Sequence, residues 1–523
     1  MKQNKFNSRS FAILVVFLLF LAPHSDLRAQ SADVPLYHSV YPFLERLVNF
    51  MPNHALDLHV IPISRDRVRQ ILQSAKASSL VLSHADGALL GQYLAEFSDP
   101  APGEAKHKSA ERNFVRYQEE RAQLFLDLYG IQRFEIRRGD FDKDESEVSR
   151  TQAGIRMRAH LPPRLLIATD FNNTLERGTA DTTERFDPDT GLPVSLSGSS
   201  AFRAGSIGYA RLDLRWLELE AGRNYFSWNV SPLNQLALNQ RNEPFDLVRL
   251  DARWKKFRFI FAHGWLRSNA QKYVAAHRLE AIFFSKLLLA VGETVIYGNR
   301  GPEFQYLNPF MLYHAAEQLL GDRDNNVVTF DFAYFLGRGV KLYGELFIDD
   351  LSLEFPIGTY FGNKLAYLAG VYWVQPFGWR TGDLRLEWAR VDPYVYTHDD
   401  SVNIYEQNSI GLGASFGPNA DRYVVATGWQ PHRDLRFDAQ LSFRRKGQGD
   451  LFTPHSPEDG DAKGFLSGTI IKTWGMNLKV EDQIYRDIYV GLEFDWQRDS
   501  NTDFITGKRA TRRVAVFSLR LDI

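Results

Sequence analysis

The stretch from Tyr209 to Trp265 constrains the fold more than any other, because one alternating motif occurs in it twice: RLDLRW over Arg211 to Trp216 and RLDARW over Arg249 to Trp254. Successive side chains of a strand point to opposite faces. Arg211, Asp213 and Arg215 therefore share one face, and Leu212, Leu214 and Trp216 the other. The second copy sets Arg249, Asp251 and Arg253 against Val248, Leu250, Ala252 and Trp254. It then turns at Lys255-Lys256 into a strand with Phe257, Phe259, Phe261 and Trp265 on one face. A soluble sandwich hides its apolar face against a second sheet and rarely fills the other with alternating arginine and acid. A membrane barrel has a use for both faces, lipid outside and water in the lumen.

Related pieces recur at Arg278-Leu279-Glu280, at Arg385-Leu386-Glu387-Trp388 and at Arg520-Leu521-Asp522-Ile523. The expectation is a lumen ladder of Arg211, Asp213, Arg215, Arg249, Asp251 and Arg253, in which arginine and carboxylate meet across neighbouring strands. Its simplest role is an electrostatic scaffold that fills the barrel; the alternative is a constriction that selects ions or sugars.

Composition agrees. A chain of 523 residues suits two units or one large barrel. Its 62 Lys and Arg against 63 Asp and Glu leave a net charge of -1, which argues against a nucleic-acid partner. The mean hydropathy is negative, which excludes a bundle of membrane helices but not a barrel, where only alternate residues meet lipid. Ten Trp and 22 Tyr can supply girdles at the two membrane interfaces. With no Cys there is no disulfide, thiol nucleophile or thiolate metal site.

Residues 1–29 read as a secretory signal: Lys2, Lys5 and Arg9 precede an apolar core from Phe11 to Ala22, and Leu27-Arg28-Ala29 offers a small-residue cleavage site. The core is too short to span a bilayer as a helix. Residues 30–130 then follow a helical period. Tyr37, Tyr41, Leu44 and Val48 form one stripe, and Val68, Ile71, Leu72 and Ala75 a second after the cap candidate Ser64. Ser83 and Asp86 suggest a capping-box variant ahead of Leu90, Tyr93, Leu94 and Phe97, and Phe114, Tyr117, Leu124 and Leu128 suggest a fourth helix. PLYHSVYPFLERL with PISRDRV resembles one partial copy of an S-layer homology module, the cell-wall-binding repeat, although a simple packing unit explains it better. The unit is expected in the periplasm, where it could contact the cell wall.

From Ile131 to the end the period is two. Polar breaks over Glu176 to Ser200, Asn239 to Glu243, Asp322 to Asn326, His398 to Asn403 and Lys446 to Lys463 alternate with tight turns, the asymmetry of an antiparallel outer-membrane barrel whose short turns face the periplasm. At about 10 residues per strand, residues 131–523 predict roughly 16 to 18 strands. The last of them sends Phe517, Leu519 and Leu521 outward and Ser518, Arg520 and Asp522 inward.

Laid out in this way, the segment from about Ala201 to Leu351 resembles the Wzi family of outer-membrane capsule-assembly proteins. LELEAGRNYFSW running on to FDLVRLD, VGETVIYGNRGPEFQYLNPFMLYHAAEQ, and DNNVVTFDFAYFLGRGVKLYGELFIDDL carry the resemblance in that order, with Gly222 and Gly292 in matching places. It implies a non-enzymatic barrel in the cell outer membrane that anchors or organises capsular or other exopolysaccharide. Its partners would be that polysaccharide and the outer-membrane lipid. By motif position the glycan-binding candidates are Tyr297, Phe304, Tyr306, Asn308, Asp349 and Asp350, since aromatic faces and polar groups suit sugar rings. Girdle and loop-anchor roles compete for the same residues.

Other chemistries fit less well. A membrane lipase needs a serine beside an outward histidine; His263 lies in the outward register, but Trp265 follows it there. Asp140, Asp142 and Asp144 imitate calcium-loop ligands, yet Glu145 and Thr151 stand where that loop needs Gly and Glu. Gly298-Asn299-Arg300-Gly301 lacks the Lys-Ser of a phosphate loop, and His54 and His59 have no third ligand nearby. No metal or cofactor is expected. The main functional alternative is a porin-like channel for small polar solutes or sugars, which would conduct in planar bilayers.

Overall fold

The computed structural model describes residues 31–98, 113–119, 122–141, 146–162, 164–178, 187–188, 190–197, 199–214, 216–228, 230–462 and 464–522. The signal expected at residues 1–29, Arg215 of the ladder and the acidic run at 142–145 lie outside them.

Eighteen antiparallel strands among the described residues close into a barrel, at the upper end of the expected range. They are β1 Gln123–Gly139, β2 Ser146–Leu161, β3 Leu165–Gly178, β4 Ser200–Asp213, β5 Leu217–Asn224 and β6 Phe245–Trp254. Next come β7 Phe257–Trp265, β8 Lys272–Phe283, β9 Leu287–Gly298, β10 Asn325–Gly337, β11 Val340–Asp350 and β12 Lys364–Val374. The last six are β13 Gly382–Val391, β14 Ala420–Trp429, β15 Leu435–Lys446, β16 Ile471–Tyr485, β17 Ile488–Ser500 and β18 Arg509–Asp522. Closure comes from β18 on β1, in register from Asp522 opposite Tyr129 to Arg512 opposite Gly139.

The segment expected as a fourth helix is strand instead. Val115–Gln118 pairs with β1 at Leu126 to Gln123, directly below the foot of β18. The barrel wall therefore starts at Gln123 rather than Ile131. Leu124 and Leu128 are four apart, as a helix would have them, but Leu126 between them makes the spacing equally a period of two. Partner strands on both sides decide for the strand, because a helix here would leave the lower part of β2 unpaired.

Tight turns gather at one end of the barrel. Lys255-Lys256 joins β6 to β7, Arg338-Gly339 joins β10 to β11, and Arg486-Asp487 joins β16 to β17. Lys255, Gly339 and Asp487 have the positive φ that such short reversals require. Long connections, including residues 225–244, 299–324, 392–419 and 447–470, gather at the other end. Within the polar break expected over Glu176 to Ser200, β3 runs on to Gly178, and Leu192–Ser197 forms a short strand on β4.

The alternation divides the wall as the motif implies. Trp254 is 66% exposed on the outside, while Arg249 is 5% exposed on the inside. Phe134, Phe332, Leu441 and Leu492 continue an exposed apolar band around the outer face, the surface a bilayer requires.

Three helices, α1 Val40–Val48, α2 Arg65–Ala77 and α3 His84–Glu96, precede the wall. Ser83 caps α3 as expected, its hydroxyl accepting from the Asp86 amide at 3.0 Å. Leu44, Leu47, Val68, Ile71 and Leu72 are buried in one apolar cluster with the lumen-facing Ile260, Ala290, Phe335 and Tyr372. The helices thus sit inside the barrel as a plug, and polar contacts fix them at the tight-turn end. The Asn49 amide donates to the Gly339 carbonyl at 2.5 Å. Arg46 donates to Asp86 on α3 and Asp383 on β13, each at 2.9 Å. Glu45 accepts from Arg385 at 2.6 Å and Lys341 at 3.1 Å.

Arg46 and its two carboxylates are almost fully buried, so Arg46→Ala leaves Asp86 without a cation and Asp383 with only the more distant Arg436 at 4.0 Å. Breaking a buried pair in this way costs about 3–5 kcal/mol, and the expected outcome is a lower urea midpoint with faster proteolysis of residues 31–98. Glu45 gives the pH dependence. Burial acts to raise its pKa, but Arg385 and Lys341 outweigh burial and hold it at about 2 against an ordinary 4.5. A lowered folded-state pKa stabilises fully above the unfolded value and is lost as pH falls through the folded one. Protection of the α1 amides, taken relative to the intrinsic exchange rate at each pH, should therefore fall between pH 4.5 and about 2, and Glu45→Gln should flatten that dependence.

Candidate functional site

The charged ladder lies in the lumen, and its arginines bind the plug as well as the wall. Arg211 donates to Glu220 across the β4–β5 pair at 2.9 Å, to Asp33 at 2.7 Å and to the Ser31 carbonyl at 3.1 Å. Arg249 on β6 reaches the same Glu220 carboxylate at 3.0 Å. Asp251 receives Arg258 of β7, closest at 2.6 Å, and Arg258 also donates to the Leu56 carbonyl at 2.6 Å. Arg253 pairs with Asp57 of the plug. Asp213 sits half-buried at the strand end, where its amide donates to Arg164. Arg278, from the related RLE piece, is clamped between Glu280 at 2.7 Å and Asp331 at 2.9 Å.

This makes the ladder a docking surface. The sequence showed its wall half, because alternation exposes Arg and Asp on one face; its plug half, Asp33, Glu45, Arg46 and Asp57, carried no such signal. Glu45 and Arg46 stand between Leu44 and Leu47 on an otherwise apolar helix, and that interruption was the only trace of them.

The lumen is filled unevenly. On the side of β6 to β13 the plug meets two inturned connections, residues 225–244 and 392–419. Tyr396 donates to the Leu236 carbonyl at 2.7 Å, and Glu387 of β13 accepts from the Asn234 side chain and from Tyr343, both at 2.7 Å.

Along β1 to β5 and β16 to β18 a cavity of about 1160 Å³ remains. Asp33, Tyr37, His38, Arg65 and Glu96 of the plug line one side of it, and its lining runs from Arg433, Arg486 and Asp487 at the tight-turn end to Thr190, Gln240 and Arg241 towards the long loops. Its wall mixes rings with charge. Tyr129 donates to Asp170 at 2.6 Å, Arg156 reaches the same carboxylate at 3.0 Å, and the Arg156 guanidinium lies 4.7 Å from the Tyr129 ring centre. On the adjoining β18, Arg520 lies 4.0 Å from the Tyr489 ring centre and 5.2 Å from that of Tyr37.

Glycines make room for the tyrosines. A Cβ on Gly154 would fall 2.1 Å from the Tyr129 ring across the β1–β2 pair. One on Gly222, whose φ is +138°, would fall 2.6 Å from the Tyr209 backbone, and the Tyr209 hydroxyl accepts the Asp33 amide of the plug at 2.8 Å. Hydroxyl, amide and guanidinium groups beside flat rings are the chemistry that holds a sugar.

The residues nominated by motif position do not converge on this cavity. Residues 299–324 fold down over the outside of the wall, carrying helices α4 Phe304–Leu307 and α5 Tyr313–Leu320. Tyr297 points outward from β9 and is buried beneath them, with its hydroxyl 2.7 Å from His263 and accepting the Glu303 amide at 3.2 Å. Tyr306 is buried in the same cluster and donates to Asp324 at 2.7 Å. Phe304 is exposed on the far side of α4, and Asn308 ends that helix, accepting the Phe310 amide at 3.1 Å. Asp349 faces the lumen, where it accepts the Tyr396 amide at 2.6 Å, and Asp350 pairs with Lys364 at 2.8 Å. Four of the six therefore lie on the outer side of the barrel: Tyr297 points outward from β9, and the loop that carries Phe304, Tyr306 and Asn308 covers the outer wall instead of the mouth. Of the cavity residues, Arg520 was legible as an inward position of the last strand; Tyr129, Arg156 and Asp170 were not.

The family model of the capsule assembly protein Wzi matches residues 208–513, more than half of the chain. A solved structure described as Wzi, an outer membrane protein involved in group 1 capsule assembly in Escherichia coli and a carbohydrate-binding β-barrel, matches with a TM-score of 0.59 at 13% identity, covering 91% of this chain and 97% of its own. The outer membrane protein OprD from Pseudomonas aeruginosa matches with a TM-score of 0.45 at 11% identity over 76% of this chain and 94% of its own. OccAB2 of Acinetobacter baumannii has the same score and identity over 76% and 98%. No curated protein sequence matches the chain.

The plug makes a prediction about conduction. Removal of residues 31–98 should raise conductance in planar bilayers well above that of the intact protein, provided heat-modifiable migration confirms that the shortened barrel is folded.

Proposed function

This chain belongs to the Wzi family of capsule assembly proteins, a β-barrel of the outer membrane, and we propose that it holds capsular or other surface polysaccharide at the cell surface without catalysing a reaction. The observation that carries this reading is the half-filled lumen: beside the plug runs a cavity lined by tyrosine rings, guanidinium groups and carboxylates, the groups that bind a polar chain. The named structural relative is described as carbohydrate-binding, which supports the same ligand class. The long loops supply the approach to the cavity, and the plug, residues 31–98, faces the periplasm at the tight-turn end.

A non-catalytic role accords with the surroundings of His263. It is fully buried between the wall and residues 299–324, with its Nε2 on the Tyr297 hydroxyl rather than on a serine. A lipase would need that histidine open to an ester at the lipid surface.

The deciding experiment is surface-glycan retention in cells lacking the protein, with cell-bound and shed polysaccharide measured separately. The expected outcome is a shift from cell to medium at constant total synthesis; unchanged retention would overturn the reading. Within the protein, Arg241→Ala and Gln240→Ala near the loop end of the cavity are expected to change stability by less than about 0.5 kcal/mol while weakening glycan retention.

A further inference from the structure

The loop of residues 299–324 has two unlike sides. Its inner side packs Tyr306, Tyr313 and Ala316, all fully buried, onto the outward-facing Tyr273, Ala275, Val295 and Tyr297 of β8 and β9. Its outer side presents Phe304, Phe310, Leu312 and Leu319, between 65% and 83% exposed. Four large apolar side chains on one short loop make a surface that water does not favour.

Its position says what covers it. The Phe310 ring stacks on Phe259 with ring centres 5.9 Å apart. Phe259 pairs with Leu279, and Leu279 with Val291 of β9, seven residues below the strand end at Gly298. At about 3.3 Å per residue and a tilt of roughly 40°, Phe310 lies about 18 Å down the wall, within an apolar belt about 25 Å tall. Leu279, Leu289 and Val291 are exposed on the same outward face, so the loop's outer side continues the lipid-facing band.

The inner side shows why a cover is needed. Glu293 points outward at this level and would put a carboxylate into hydrocarbon. Instead it accepts from the Tyr313 amide and lies against His277, each at 2.9 Å. The loop is pinned at its root, where Arg300 donates to Glu303 at 2.8 Å and also pairs with Asp324.

We propose that residues 299–324 form a membrane-embedded flap whose outer side binds the acyl chains of the outer leaflet and whose inner side seals the polar groups of β7 to β9 from lipid. The flap adds a lipid contact beyond the barrel wall, set apart from the glycan cavity by the wall itself.

The chain has no cysteine, so single labels are clean. Spin labels at Phe310→Cys, Leu319→Cys and Phe304→Cys would be read in phospholipid vesicles for collision with oxygen and with a water-soluble nickel chelate. Leu289→Cys serves as the lipid reference and Leu353→Cys as the loop reference. The flap labels are expected to match Leu289→Cys, high for oxygen and low for nickel. Nickel access like that of Leu353→Cys would place the flap in water, and low access to both reagents would mean that a protein surface covers it; either result overturns the proposal. Three positions, each checked for heat-modifiable migration, keep the test intact if one variant fails to assemble.

Discussion

Buried guanidinium groups of the lumen wall are satisfied from two separate parts of the chain, and the rest of the structure depends on that sharing. Arg211 has an acceptor on the neighbouring strand and two on the segment leading into the plug. Arg385 returns the arrangement from the opposite wall, donating to Glu45 while lying 4.2 Å from the Tyr372 ring centre. A charge removed from water is tolerable only when its partners are close and well aimed. The wall motif and the plug helices therefore specify each other: the wall supplies the arginines at a spacing of two, and the plug brings carboxylates and carbonyls into reach. Apolar contact holds the plug in the lumen, and the ion pairs fix its register there.

The same division explains what could be read from the sequence. The wall was legible because a strand with lipid on one side and ionic groups on the other writes its period into the chain, as in RLDLRW. The helical period of α1 to α3 was legible too, together with the cap at Ser83. The first strand was not, since Leu124, Leu126 and Leu128 satisfy both periods and only the partner strands decide between them. The cavity was largely hidden for a related reason. Tyr129, Arg156 and Asp170 come from three successive strands, and their meeting depends on the register of two hairpins and on a glycine opposite the ring. The direction of residues 299–324 was hidden as well, because aromatic residues beside a strand end suit a sugar platform and a packed cluster on the outer wall equally well; only the tertiary structure separates them.

The uneven filling of the lumen is where fold and function meet. Inturned loops and plug occupy the side of β6 to β13, leaving an aromatic and charged recess against β1 to β5 and β16 to β18. A uniformly open lumen would favour passage and a uniformly filled one would bind nothing within it. A recess lined along its height by charge and aromatic rings gives an extended polar chain groups to bind. Arginine, carboxylate and tyrosine around it hold one another in place, so little side-chain ordering remains to be done when a ligand arrives.

The foot of the seam has a mechanical consequence. β18 covers β1 only down to Tyr129, and the chain's own Val115–Gln118 covers the next stretch, from Leu126 to Gln123. The chain coming from the plug thus pairs with the foot of the first strand directly below the last one. A force drawing the plug away from the barrel would load those few backbone pairs as well as the side-chain contacts inside. Extraction of the plug is therefore resisted in part by the wall's own backbone ladder.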